Sequence, residues 1–180
     1  MVEEQAACGV DQYVLLGAGL DSFAQRKPDL ASQQRVFELD QPGPQEWKRR
    51  RLVAVGLGVP AYLKLVPVDF EAGDDWWERL LASGFDATRP AVATSTGVSM
   101  YLTKDAIVAT LRQIATLASG STLVMSFLCP IEMLDPEIRI GVERAAEGAR
   151  ANGTPWISFF KPNEMLSLAR DAGFKKMQHV

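Results

Sequence analysis

The chain has 180 residues, 47% hydrophobic and 23% charged, with a net charge of −3 and an isoelectric point near 5.3. That is enough chain for one domain with a sizeable core, and it lacks the surplus of Lys and Arg with which a general nucleic-acid binder neutralises phosphates. Cys8, Cys129 and the single His179 have no metal-ligand spacing, which argues against a zinc site or a disulfide framework. No apolar run is long enough to span a bilayer, and the acidic start Met1-Val2-Glu3-Glu4 is unlike a secretory signal. The reading is a cytoplasmic chain with no nucleic acid, membrane or metal partner.

Short apolar runs alternate with amphipathic ones. Tyr13-Val14-Leu15-Leu16 reads as a strand buried on both faces, broken by Gly17-Ala18-Gly19. Val36 to Asp40 reads as a second strand. Pro42 to Leu57 is a predicted helix with Pro42 near its start. Leu63 to Val68 is a third strand, and its Pro67 indicates a sheet edge or a strand end. Asp74 to Leu81 is a predicted helix with acids in its first turn, stopped by Gly84. Pro90 to Thr96 is a fourth strand. Thr103 caps the next helix, whose positions Ile107, Leu111, Ile114 and Ala118 keep helical spacing up to Gly120. Thr122 to Leu128 is a fifth strand. Glu137 to Ala151 and Pro162 to Ala172 are further helices, and Phe174 to Val180 is strand-like. This alternation predicts a single α/β domain with a mostly parallel sheet, helices on both faces and right-handed crossovers.

The glycine turn is the first candidate site. Ligands of open α/β sheets bind beyond the carboxyl ends of the strands, where the strand order switches. Glycines there let the backbone turn tightly and approach a ligand, and the following helix can offer amide donors. Asp21 is read as a cap for that helix. A dinucleotide fingerprint needs a third glycine, and Ser22 stands in its place. A plain strand-to-helix turn remains the alternative at this point.

Asp40 follows Gly19 by 21 residues at the tip of the second strand. A carboxylate there can accept hydrogen bonds from both hydroxyls of a ribose; otherwise it caps the helix beginning at Pro42. Glu38, two residues earlier, shares its face. Asp69-Phe70, after the third strand, can take the amino group of an adenine and hold the ring, or be a solvated loop. Ser95, Thr96 and Tyr101, after the fourth strand, are candidate pocket residues, although Met100 and Tyr101 read more readily as core or pocket wall. Lys48-Arg49-Arg50-Arg51 reads as a solvated helix face. Of Trp76-Trp77, at least one ring is expected to be buried.

Taken together, Gln12 to Ser22, Val36 to Pro42 with Lys48 and Arg49-Arg50-Arg51-Leu52, Val68-Asp69-Phe70, Gly97 to Thr103 and Asp171-Ala172-Gly173-Phe174 resemble the leucine carboxyl methyltransferase family and its bacterial relatives. The resemblance runs over most of the chain, in the family's order and spacing. It implies a Rossmann-like class I fold and S-adenosyl-L-methionine (SAM) as cofactor. The implied cofactor contacts are Gly17, Ala18, Gly19, Asp40, Asp69, Phe70 and Thr96. It also implies O-methylation of a carboxylate on a small-molecule or protein acceptor, which is ionised at neutral pH and needs no general base. No acid/base residue is assigned. The family carries Glu where Thr96 stands. It also has N-terminal helices that cover the cofactor, where only about a dozen residues precede Tyr13 here, and it continues beyond the strand near Phe174. The chain therefore reads as truncated at both ends, with a sheet edge open to self-association. A non-catalytic SAM-binding domain and a nicotinamide-dependent oxidoreductase are the competing readings.

Overall fold

The computed structural model describes residues 1–72 and 75–180. The chain divides into two compact units, one formed by Met1–Thr96 with Thr116–Met125, the other by Gly97–Ala115 with Ser126–Val180.

The first unit carries the whole sheet. Helix α1 (Val2–Ala7) leads into β1 (Gln12–Leu16). Two single-turn helices follow, α2 (Phe23–Arg26) and α3 (Pro28–Ala31). Then come β2 (Arg35–Asp40), α4 (Pro42–Ala54), β3 (Leu63–Pro67), α5 (Trp76–Ala82), β4 (Val92–Ser95) and β5 (Thr122–Met125). The strands lie in the order β3-β2-β1-β4-β5, and every pairing is parallel. Strand order reverses at β1, so its neighbours β2 and β4 flank the switch point where open sheets bind ligands. Pro67 closes the edge strand β3, where its missing N–H costs no ladder bond.

All five residues of β1 are buried, as a central parallel strand covered on both faces requires. Alternation sorts its side chains. Tyr13 and Leu15 join Val36, Leu63 and Val92 in one cluster with Ala24 of α2 and Ala31 of α3, with Val2 and Phe23 packed against it. On the other face Phe37 meets Phe85 edge-on at 5.6 Å, and Phe85 meets Trp77 of α5 at 5.8 Å. Trp76 is the buried member of the tryptophan pair. Helices thus cover both faces. Asp75 caps α5 by accepting the Glu78 N–H at 2.9 Å; Asp74, read as part of that helix, lies outside the described residues.

The second unit is helical. A 3-10 turn at Ser99–Tyr101 precedes α6 (Lys104–Ile114), a second lies at Ile131–Met133, and α7 (Pro136–Ala151) and α8 (Pro162–Ala172) follow. Thr103 caps α6 as its sequence indicates, accepting the Ala106 N–H at 3.3 Å. Ile107, Leu111 and Ile114 form its buried stripe.

Four expectations are corrected. Helix α6 stops at Ile114, not at Gly120: Ser121 Oγ donates to the Ala118 carbonyl at 2.7 Å and stabilises a turn instead, the competition that small hydroxyl side chains offer a helix. Helix α4 ends at Ala54, not Leu57, because Gly56 takes φ +80° and the Leu57 N–H turns back to the Leu52 carbonyl. Strand β5 ends at Met125, not Leu128. Ser126 faces the second unit's own loop, accepting the Gly97 N–H at 2.8 Å and the Ser99 hydroxyl at 2.9 Å. Phe174 to Val180 is not a strand. Gly173 at φ +113° lets the Phe174 N–H reach the Ala169 carbonyl, closing α8 and directing the chain away.

Candidate functional site at the carboxyl ends of the strands

Beyond Leu16 the chain reverses through Gly17 at φ +69° and Gly19 at φ +50°, a region that costs a residue with a Cβ roughly 1–2 kcal/mol. The N–H groups of Gly17 and Ala18 donate to the Leu39 carbonyl at 2.8 and 3.0 Å. The Gly19 N–H donates to Asp40 Oδ2. The turn after β1 is therefore bolted to the tip of β2. Asp40 Oδ1 accepts the Gln41 N–H at 2.7 Å. A carboxylate offers about four lone-pair sites, so Asp40 keeps capacity for two further donors. A Cβ built on Gly19 would meet nothing within 4 Å, so the space over the turn is open.

The third loop adjoins this corner. The Val68 N–H donates to the Asp40 carbonyl at 2.8 Å. One residue on, Asp69 Oδ1 accepts the N–H groups of Glu71 and Ala72 at 3.0 and 3.2 Å, an Asx-type turn that fixes the loop locally. Phe70 is half-buried, its ring 6.3 Å from that of Trp76. Gly17, Ala18, Gly19, Asp40, Asp69 and Phe70 thus sit at the same end of three adjacent parallel strands. Ser95 closes the neighbouring β4 at that end and is buried, and Thr96 beyond it is exposed.

Tyr101 belongs to the second unit and is 40% exposed. Of the two packing roles expected for it, core or pocket wall, the first does not fit: the 3-10 turn buries Ser99, and Leu102 beyond it, and turns Tyr101 outward. The helix after the glycine turn is also less than expected. It is the four-residue α2, and its first N–H, on Phe23, donates to Asp21 at 2.7 Å. Asp21 accepts that N–H from just before the N-cap residue Ser22.

The sequence reading missed the layer beneath Asp40. Lys48 is not solvated. It is 4% exposed and its ammonium donates to Glu38, which is fully buried. Arg49 and Arg50 do face solvent and pair with Glu46. Burial pushes the Glu38 carboxyl above the ordinary carboxylate range; the Lys48 ammonium works against that shift, and the charges of Asp21 and Asp40 add to it. Burial likewise raises the Tyr13 phenol, whose hydroxyl lies 3.2 Å from that of Thr94. One signal was available for Lys48. Helix α4 has no apolar stripe, and its buried positions are Gln45 and Lys48, one turn apart, while Trp47 and Val53 point outward.

A recess of about 430 Å³ between α1 and α3, lined by Glu3, Arg26, Lys27 and Asp29 among others, includes none of these residues. Among the described residues, no helix is long and apolar enough to cross a membrane.

A family model described as leucine carboxyl methyltransferase matches residues 1–115. Over its full length the chain is 30% identical to YktD of Bacillus subtilis, named as a candidate S-adenosyl-L-methionine-dependent methyltransferase, and it spans 59% of that protein. Among solved structures, a DUF574 family protein from Streptomyces avermitilis superposes with a TM-score of 0.68 at 19% identity, over 97% of this chain and 64% of that one. PigF, solved with S-adenosylhomocysteine (SAH), gives a TM-score of 0.64 at 16% identity, over 97% of this chain and 48% of that one.

Proposed function

The chain belongs to the leucine carboxyl methyltransferase family and has the Rossmann-like class I methyltransferase fold, and from that premise we propose that it is the cofactor-binding part of a SAM-dependent methyltransferase acting on a carboxylate. The observation that carries this reading is the corner where the Gly19 N–H meets the Asp40 carboxylate under open space.

The residues present fit the cofactor. Two acceptor sites left on Asp40 match the two hydroxyls of a ribose. Phe70 offers a half-buried aromatic surface to a base, and Asp69 lies beside it for the exocyclic amino group. Gly17 and Ala18 form the floor of the turn, and Ser95 and Thr96 complete the rim on the β4 side. Bound SAM supplies a methyl group on a sulfonium, a good leaving group.

The protein's task is then alignment and exclusion of water. A carboxylate acceptor is ionised at neutral pH, so the site works without a general base. Tyr101 remains the pocket candidate of the second unit. The acceptor, small molecule or protein, would be recognised through its carboxylate. A reducing, cytoplasmic setting suits the two free cysteines, Cys8 and Cys129.

Calorimetric titration with SAH tests the reading. The parent chain binds saturably, and Asp40→Ala binds at least about tenfold more weakly, the scale of losing hydrogen bonds to a charged group. No binding by the parent contradicts the cofactor assignment, and unchanged binding by the variant contradicts the role of Asp40.

A further inference from the structure

We propose that Lys48 is a positioning residue for the cofactor corner, stapling α4 to β2 beneath Asp40 and supplying a buried cation that its cluster of carboxylates requires. The inference rests on the cofactor reading above.

Asp40 stands at a corner where the chain leaves β2 and enters α4 within two residues. Such a corner is held only as well as its two arms are held together. Both fastenings land on Glu38, two residues before Asp40 and on the same face. Gln45 Nε2 donates to the Glu38 carbonyl at 2.8 Å, and one helical turn later the Lys48 ammonium donates to Glu38 Oε2. The second fastening is a charge-assisted bond in a dry interior, where such bonds are strong and geometrically exacting.

Charge supplies an independent reason. The charges of Asp21 and Asp40 both act on Glu38. The groups facing Glu38 are Lys48 from α4, Asp21 from the turn after β1, Asp40 from its own strand and Tyr13 from β1. Lys48 is the cation buried among them, while Arg26 on α2 is exposed and bonded to Ser22. The other oxygen of Glu38, Oε1, is buried with no hydrogen-bond partner among the described residues, so the pair is poorly explained as a simple stabilising contact; buried ion pairs often contribute little net stability.

The test separates positioning from stability. SAH affinity is measured by calorimetry well below the melting temperature of each protein, alongside ligand-free thermal melts. Lys48→Met is expected to weaken SAH binding about tenfold or more. Glu38→Gln, which keeps the cation and an oxygen acceptor for it, is expected to stay within about threefold, the split expected between losing the cation with its bond and keeping both. If Lys48→Met does not fold, Lys48→Gln, which retains a donor without charge, carries the same expectation. Binding within about threefold of the parent by the folded Lys48 variant overturns the inference and leaves the cofactor reading standing, as does an equal loss in both Lys48 and Glu38 variants. Absence of SAH binding by the parent overturns both.

Discussion

Glu38 is a buried carboxyl whose ionisation burial and the charges of Asp21 and Asp40 together oppose more strongly than Lys48 favours it. The native state then holds the Glu38 proton more tightly than the unfolded chain does. Its contribution to stability is complete below the ordinary carboxylate range and is lost as pH rises through the raised native-state value. Glu38→Gln removes this titration, so melting temperature falls less for the variant than for the parent over that rise; parallel curves contradict the argument. At Gly17 the issue is the backbone. Its φ of +69° lies where a Cβ is strained, so Gly17→Ala costs about 1–2 kcal/mol by urea denaturation. A cost near zero would mean that the turn tolerates a side chain.

The same scale shows what single residues reveal before a structure exists. The place of Asp40 at the tip of β2 was legible, because the apolar run before it ends there and Pro42 opens the next helix. Lys48 was not, because a run of four basic residues ordinarily marks a solvated surface, and only the third dimension places Glu38 opposite one of them. The exposure of Tyr101 was not legible either, because one 3-10 turn decides which residues from Ser99 to Leu102 turn inward.

Among the elements, those with a strong local pattern came through. β1, β2 and β3 show continuous or alternating apolar runs, and α8 runs from Pro162 to Ala172 between a proline start and a glycine stop. Element ends were less legible wherever a backbone group had a competing partner, as at Ser121 and Ser126. The short helices α1 and α3 were not anticipated, and the helix expected after the glycine turn is the single turn α2, since four to six residues hold too few turns for a period to show. The cap of α6 was anticipated, and it can be weighed. Thr103→Ala removes the acceptor for the Ala106 N–H and costs about 1 kcal/mol. Thermal melts check this, and an unchanged melting temperature would show that solvent replaces the cap.

For the molecule as a whole, the parallel sheet followed from the alternation of strand and helix. The order β3-β2-β1-β4-β5 did not, because pairing is a property of the assembled sheet. The two edges differ. β3 carries the exposed Lys64 and Pro67, which blunt an edge against further pairing. β5, Thr-Leu-Val-Met, carries no charge, so concentration-dependent self-association is expected in sedimentation velocity, and a constant monomer mass at rising concentration contradicts it. The division into two compact units was also not legible, since no change in composition marks Thr96 or Met125.

The central claim is that three consecutive strand tips converge on one nucleoside. An amide-resolved NMR titration with SAH tests it most directly. The account predicts saturable shifts at Gly19, Gln41 and the Phe70 to Ala72 loop together, with one common dissociation constant. Shifts confined to other parts of the chain, such as the recess between α1 and α3, or no shifts at any concentration, would contradict it.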